Sequence, residues 1–155
     1  MGDWNRSTRE CTPASLPVEF TAAVQKHIEQ YNLGLTLSDA SMCIESTARK
    51  IKRGLFARGA ETVTMGVILT PGWLIWAIRG ESPEVAVMSA RLADIVVQDY
   101  GSTQFAKMVP DSGLEVSGSF TGVSEKGSAF IGLDNGPLSQ GFRALLLRLV
   151  QAAKA

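Results

Sequence analysis

The stretch "ETVTMGVILTPGWLIWAIR", Glu61–Arg79, decides the fold class. Thr62 and Thr64 alternate with Val63, Met65, Val67 and Leu69, the period of two that turns one side of a strand toward a core. Pro71-Gly72 then interrupts the pattern. Proline presets φ for the first central position of a turn and glycine suits the second, as a type II turn requires. Trp73–Arg79 resumes at once with aromatic and branched residues, so a β-hairpin is predicted. Its second strand is apolar on both faces, which implies a cover on the outer side.

Working toward the N-terminus, "MCIESTARKI" (Met42–Ile51) is strand-like. Before it, Leu16, Phe20, Val24, Ile28 and Tyr31 recur at helical spacing, with Pro17 suited to a first turn and Gly34 to the exit. They predict an amphipathic helix over about residues 17–32. Residues 1–15 are polar, carry no period and contain Pro13; they read as a flexible N-terminal tail, with Trp4 able to dock on the body.

Toward the C-terminus, "VAVMSARLADIVVQDYG" predicts a strand and a bend anchored by Leu92, Ile95 and Val97. Residues 101–112 form a long connection, and "LEVSGSF" and "SAFIGLD" make a second hairpin across "TGVSEKG". Gly118 and Gly132 inside these strands imply bulges or tight curvature. "NGPLSQGFRALLLRLVQAAKA" ends the chain as a helix with Leu138, Phe142, Leu145, Leu146, Leu149, Val150 and Ala153 on one face. Pro137 suits its first turn, Asp134 and Asn135 its N-cap region, and Arg148 and Lys154 its C-terminal dipole.

These elements predict a mainly β fold, a small antiparallel barrel closed by the C-terminal helix, in one domain over residues 16–155. The alternative is an open antiparallel sheet with both helices on one face. At 155 residues and 45% hydrophobic content the chain can bury a core without staples. Fifteen basic and fifteen acidic residues cancel, so attraction to a polyanion must be local, and self-association is weakly opposed. Cys11 and Cys43 read as free thiols, and with one histidine no metal site or cofactor is expected. The first residues lack the apolar core of a signal peptide, and "MGDWNR" places Arg6 where a myristoylation signal needs Ser or Thr. A cytoplasmic location is the expectation.

The order helix, six or seven antiparallel strands, then a C-terminal amphipathic helix resembles the pleckstrin-homology-like superfold, including its bacterial and GRAM-like branches. The residues that carry the resemblance are "VTMGVILTPGWLIWAI" (Val63–Ile78), "VMSARLADIVVQDYG" (Val87–Gly101) and the pair "LEVSGSF…SAFIGLD" followed by "FRALLLRLVQAA". It spans residues 43–155 and rests on the order of elements rather than on a motif. It implies a bent seven-stranded barrel plugged by the terminal helix; the N-terminal helix departs from that plan.

The resemblance also gives "RKIKRGLFAR", Arg49–Arg58, a meaning. In lipid-binding members the loop between the first two strands carries lysines and arginines that grip an inositol phosphate. Here Lys50, Lys52, Arg53 and Arg58 are the corresponding ligand-binding candidates, although four residues rather than one separate Arg53 from Arg58. Clustered cations suit phosphate, and Leu55 and Phe56 at the tip suit a membrane interface. Such charges equally serve to block edge pairing, with Glu45 and Glu61 beside them.

Catalytic signatures do not occur in this sequence. There is no P-loop, no dinucleotide fingerprint and no G-x-S-x-G elbow, and His27 reads as a helix-flank histidine. No aromatic interleaving suits nucleic acid, and no small-molecule substrate can be named. The sequence therefore predicts a non-enzymatic interaction module that binds a protein partner or self-assembles as a homo-oligomer. The faces available for that are the N-terminal helix and the two-sided strand "WLIWAI". The alternative is peripheral binding of an anionic membrane, through phospholipid or another phosphorylated ligand, at residues 49–58.

Overall fold

The computed structural model describes residues 4–51, 60–103, 105–108 and 111–155. The elements run β1 (Trp4–Cys11), α1 (Val18–Gln30), β2 (Met42–Ile51), β3 (Ala60–Leu69), β4 (Trp73–Arg79), β5 (Ala86–Arg91), β6 (Ile95–Asp99), α2 (Phe105–Met108), β7 (Gly113–Gly118), β8 (Gly127–Gly132) and α3 (Pro137–Lys154). Strands β1 to β5 form one antiparallel sheet in chain order and β6 to β8 a second. The fold is mainly β, with two antiparallel sheets and three helices among the described residues.

The decisive hairpin is β3–β4, with Leu69 opposite Leu74 and Val67 opposite Trp76. Those four residues point toward the second sheet and α3, joining Ile44, Leu92, Ile95, Val116, Ile131, Phe142 and Leu146 in the main core. On the reverse face Ile68, Ile75 and Ala77 lie under Leu16, Phe20, Val24 and Ile28 of α1 and its approach. The implied cover of β4 is thus α1, and Ile75 and Ala77 are fully buried within the chain. Gly66 permits the close approach: a Cβ there would lie 3.0 Å from Phe20 Cδ2. The turn differs from expectation. Gly72 lacks the positive φ of a type II turn, and the Thr70 hydroxyl holds the corner by accepting from Trp73 N at 2.9 Å.

Residues 1–15 were expected to be a loose tail, but Trp4–Cys11 is strand β1, paired with β2 along its whole length. Its inward residues are polar and are held by polar partners. Arg6 donates to both oxygens of Asp111 at 2.7 and 2.8 Å and lies over the Phe130 ring. Thr8 N donates to Asp134 Oδ2, and Asp134 N donates back to Thr8 Oγ1.

The expected barrel does not close either. The chain changes sheets at the 3-10 turn Leu92–Asp94, and no ladder joins the two sheets among the described residues. Single bonds bridge the seams instead: Ser46 Oγ donates to Gly132 O at 2.6 Å, and Thr121 N to Ser89 O at 2.9 Å. Nor do both helices share one face. α1 covers the outside of the larger sheet, while Phe142, Leu146 and Val150 of α3 enter the core on its other side.

Candidate functional site: a cleft between an edge strand and the C-terminal helix

Strand β6 is an edge of the smaller sheet. Ile95 and Val97 face the core while Val96 is 57% exposed. Helix α3 is pinned by Phe142, Leu146 and Val150, all buried. Between them lies a cleft of about 320 Å³, lined by Val97, Gln98 and Asp99 from β6 and by Gln140, Arg143 and Leu147 from α3, with buried Leu114 and exposed Ala144 adding apolar surface. Leu147 is one of the exposed large apolar side chains.

The polar feature of the cleft is Arg143. Its side chain is only 11% exposed, yet its bonds are poor. Nη1 reaches Asp99 Oδ2 and Nη2 reaches Asp134 O, both at 3.5 Å. Its Nε–H is the buried side-chain polar atom left without a partner among the described residues. A guanidinium favours a bidentate fork of two short bonds to a carboxylate, and an unmet buried donor costs about 1–3 kcal/mol. Asp99 supplies one long contact and is itself 58% exposed. The group is therefore under-bonded beside an open, half-apolar cleft.

The start of α3 fixes this geometry. Asp134 Oδ1 accepts from Ser139 Oγ at 2.6 Å and from Gly136 N at 3.0 Å. Its carboxyl is held below the usual range, first by the Ser139 hydroxyl and then by the Gly136 and Thr8 N–H groups. The N-cap itself is Gly136, so Asp134 acts from two residues earlier than a capping side chain would.

His27 has more company than its place on a helix flank suggested. Ser89 Oγ donates to Thr121 Oγ1 at 2.7 Å, so its oxygen accepts from His27 Nε2–H at 2.8 Å. The distances resemble a nucleophile with its base, but Ser89 is fully buried and its proton is committed to Thr121. This chain ties α1 to β5 and to the loop after β7. Burial pushes the His27 imidazole below its ordinary pKa. The unfolded chain therefore binds a proton near pH 6.5 that the folded chain refuses, and stability falls as pH drops from about 6.5 toward the folded value. Urea midpoints of the parent chain should decline over that window and those of His27→Gln should not; parallel curves would contradict this.

Of the sequence-derived basic candidates, Lys50 is the one that falls among the described residues. Lys50 lies on β2, in register with Trp4 and Glu61 on its two neighbours. Lys52, Arg53 and Arg58 lie outside the described residues. Among the described residues no group of three or more His, Cys, Asp or Glu is placed to hold a metal, and no helix is long and apolar enough to cross a membrane. Sequence reasoning missed Arg143 because it sits directly after Phe142 at the margin of the apolar stripe, where a long cation ordinarily snorkels to water.

No protein-family model matches this chain, and no curated protein or solved structure matches it.

Proposed function

We propose that this chain is a non-catalytic interaction domain whose cleft between β6 and α3 takes an extended segment of a protein partner. The segment adds a strand to the β6 edge and sets an acidic side chain against Arg143. The observation that carries this is the under-bonded Arg143 guanidinium in a half-apolar cleft beside a strand edge that has no ladder partner among the described residues. Main-chain bonds to an edge strand supply affinity, and pockets for alternate side chains supply selectivity. The apolar lining suits the neighbouring side chains, and the lone cation suits one carboxylate.

The likeness to pleckstrin-homology-like domains is part of this reading. Seven strands, β2 to β8, lie between α1 and α3 and divide four and three between the sheets, which supports it. Strand β1 with α1 is an addition, and the sheets stay open.

Panning a random peptide library against the full chain tests the proposal. Enriched peptides should combine one Asp or Glu with alternating apolar residues. Arg143→Gln should weaken their binding roughly 10-fold or more, since a hydrogen bond to a charged group contributes about 1.5–3 kcal/mol. Leu147→Glu, a partly exposed position that puts a negative charge in the cleft, should weaken it as well. Enrichment indifferent to both changes would sink the proposal. The phospholipid reading has its own test. Pelleting with anionic but not neutral vesicles, lost when Lys50, Lys52, Arg53 and Arg58 become Ala, would favour it.

A further inference from the structure

Cys11 and Cys43, read from the sequence as free thiols, are direct cross-strand partners on β1 and β2. Their sulfurs lie 3.2 Å apart, and both are free. A disulfide needs Cα atoms within about 4.4–6.8 Å, which directly opposed antiparallel residues satisfy, and sulfurs about 2.05 Å apart. Closing the gap therefore asks for a side-chain rotation and no movement of the strands. Both cysteines also border a surface groove of about 540 Å³ between the end of β1 and the start of β2, with Thr12, Pro13, Ala40 and Ser41. Cys11 is partly exposed there, while Cys43 is buried against α1.

The geometry points to a modification site: Cys11 and Cys43 form a dithiol that a small-molecule disulfide closes into an intramolecular bond, clamping edge strand β1 to the sheet. The Cys11 thiolate attacks one sulfur of the small disulfide, gives a mixed disulfide at Cys11 and releases one small thiol. The Cys43 thiolate then attacks Cys11 Sγ and expels the second small thiol. Two protein thiols lose two electrons and two protons in all, and one small disulfide becomes two thiols. Accessibility sets the order of events, since Cys11 is partly exposed and Cys43 is buried.

Burial raises both thiols above their ordinary values, Cys43 far more than Cys11; Arg9 opposes the rise and Glu45 adds to it. A raised thiol yields little thiolate at neutral pH, so exchange is slow. The pair acts as a clamp rather than as a fast sensor. The clamp matters because β1 is an edge strand whose inward residues are polar and held by bonds to Asp111 and Asp134.

The test uses the full chain with oxidised glutathione at mildly alkaline pH, followed by alkylation and intact mass measurement. The parent chain should lose two hydrogens in mass and keep no glutathione. Cys43→Ala should retain one glutathione on Cys11, and Cys11→Ala should take up none while folded. The oxidised parent should melt roughly 6–15 °C higher, as expected for cross-linking a loop of this length in a chain of this size. A parent chain that keeps its glutathione adduct, or that stays reduced while its urea-unfolded form oxidises, would overturn the assignment.

Discussion

Gly118→Ala should lower stability by about 3 kcal/mol or more and loosen β6 from β7. Gly118 closes β7 opposite Ile95 with φ 142°, a conformation that side chains rarely adopt. A Cβ there would stand 2.1 Å from Asp94 O and 3.0 Å from Ile95 Cα, both backbone atoms that cannot step aside cheaply. Left-handed strain alone costs about 1–3 kcal/mol, and a backbone clash adds to it. Gly127, its partner across β7–β8, is the control. Nothing lies within 4 Å of a Cβ at that site and its φ is not positive. Gly127→Ala should leave stability unchanged or raise it by about 0.4–1 kcal/mol. Urea denaturation of the two variants checks the contrast, and equal losses would refute it. Because Asp94 leads into β6 and Ile95 begins it, peptide binding at the cleft should fall with Gly118→Ala even below the unfolding midpoint.

Phe142→Ala should cost about 3–5 kcal/mol, the range for an aromatic removed from a packed core. Phe142 is fully buried and shares the main core with Ile95, Leu114, Ile131 and Leu146, which come from both strands of the β6–β7 pair, from β8 and from α3 itself. At about 2–4 °C per kcal/mol for a chain of this size, the melting temperature should drop by roughly 6–20 °C. Leu147→Ala one turn away, on the exposed side, should cost far less. A loss below about 1 kcal/mol at Phe142 would mean that α3 does not hold the two sheets together.

The elements with strong local period were legible in the sequence. The β3–β4 hairpin, the second hairpin and both long helices announce themselves because apolar side chains recur at two or at 3.6. Even the cover over β4 followed from its two apolar faces. Strand β1 was illegible for the converse reason. Its inward Arg6 and Thr8 look like surface residues until Asp111 and Asp134, more than a hundred residues away, accept their bonds. Barrel closure was equally out of reach, since it depends on pairing between distant edges that no local pattern encodes. Here side chains such as Ser46 bridge a seam where a ladder was expected. The candidate site had the same obscurity. Arg143 becomes unusual only when α3 is laid beside β6, and the cysteine pair only when β1 is recognised as a strand.

The most direct measurement is an amide-resolved NMR titration of the isotope-labelled chain with a peptide selected on it. Shifts confined to 96–99 on β6 and 140–147 on α3, with slowed amide exchange along the β6 edge, are the predicted result. Shifts gathered elsewhere on the molecule, with β6 and α3 unmoved, would contradict the proposal that this cleft is where the chain meets its partner.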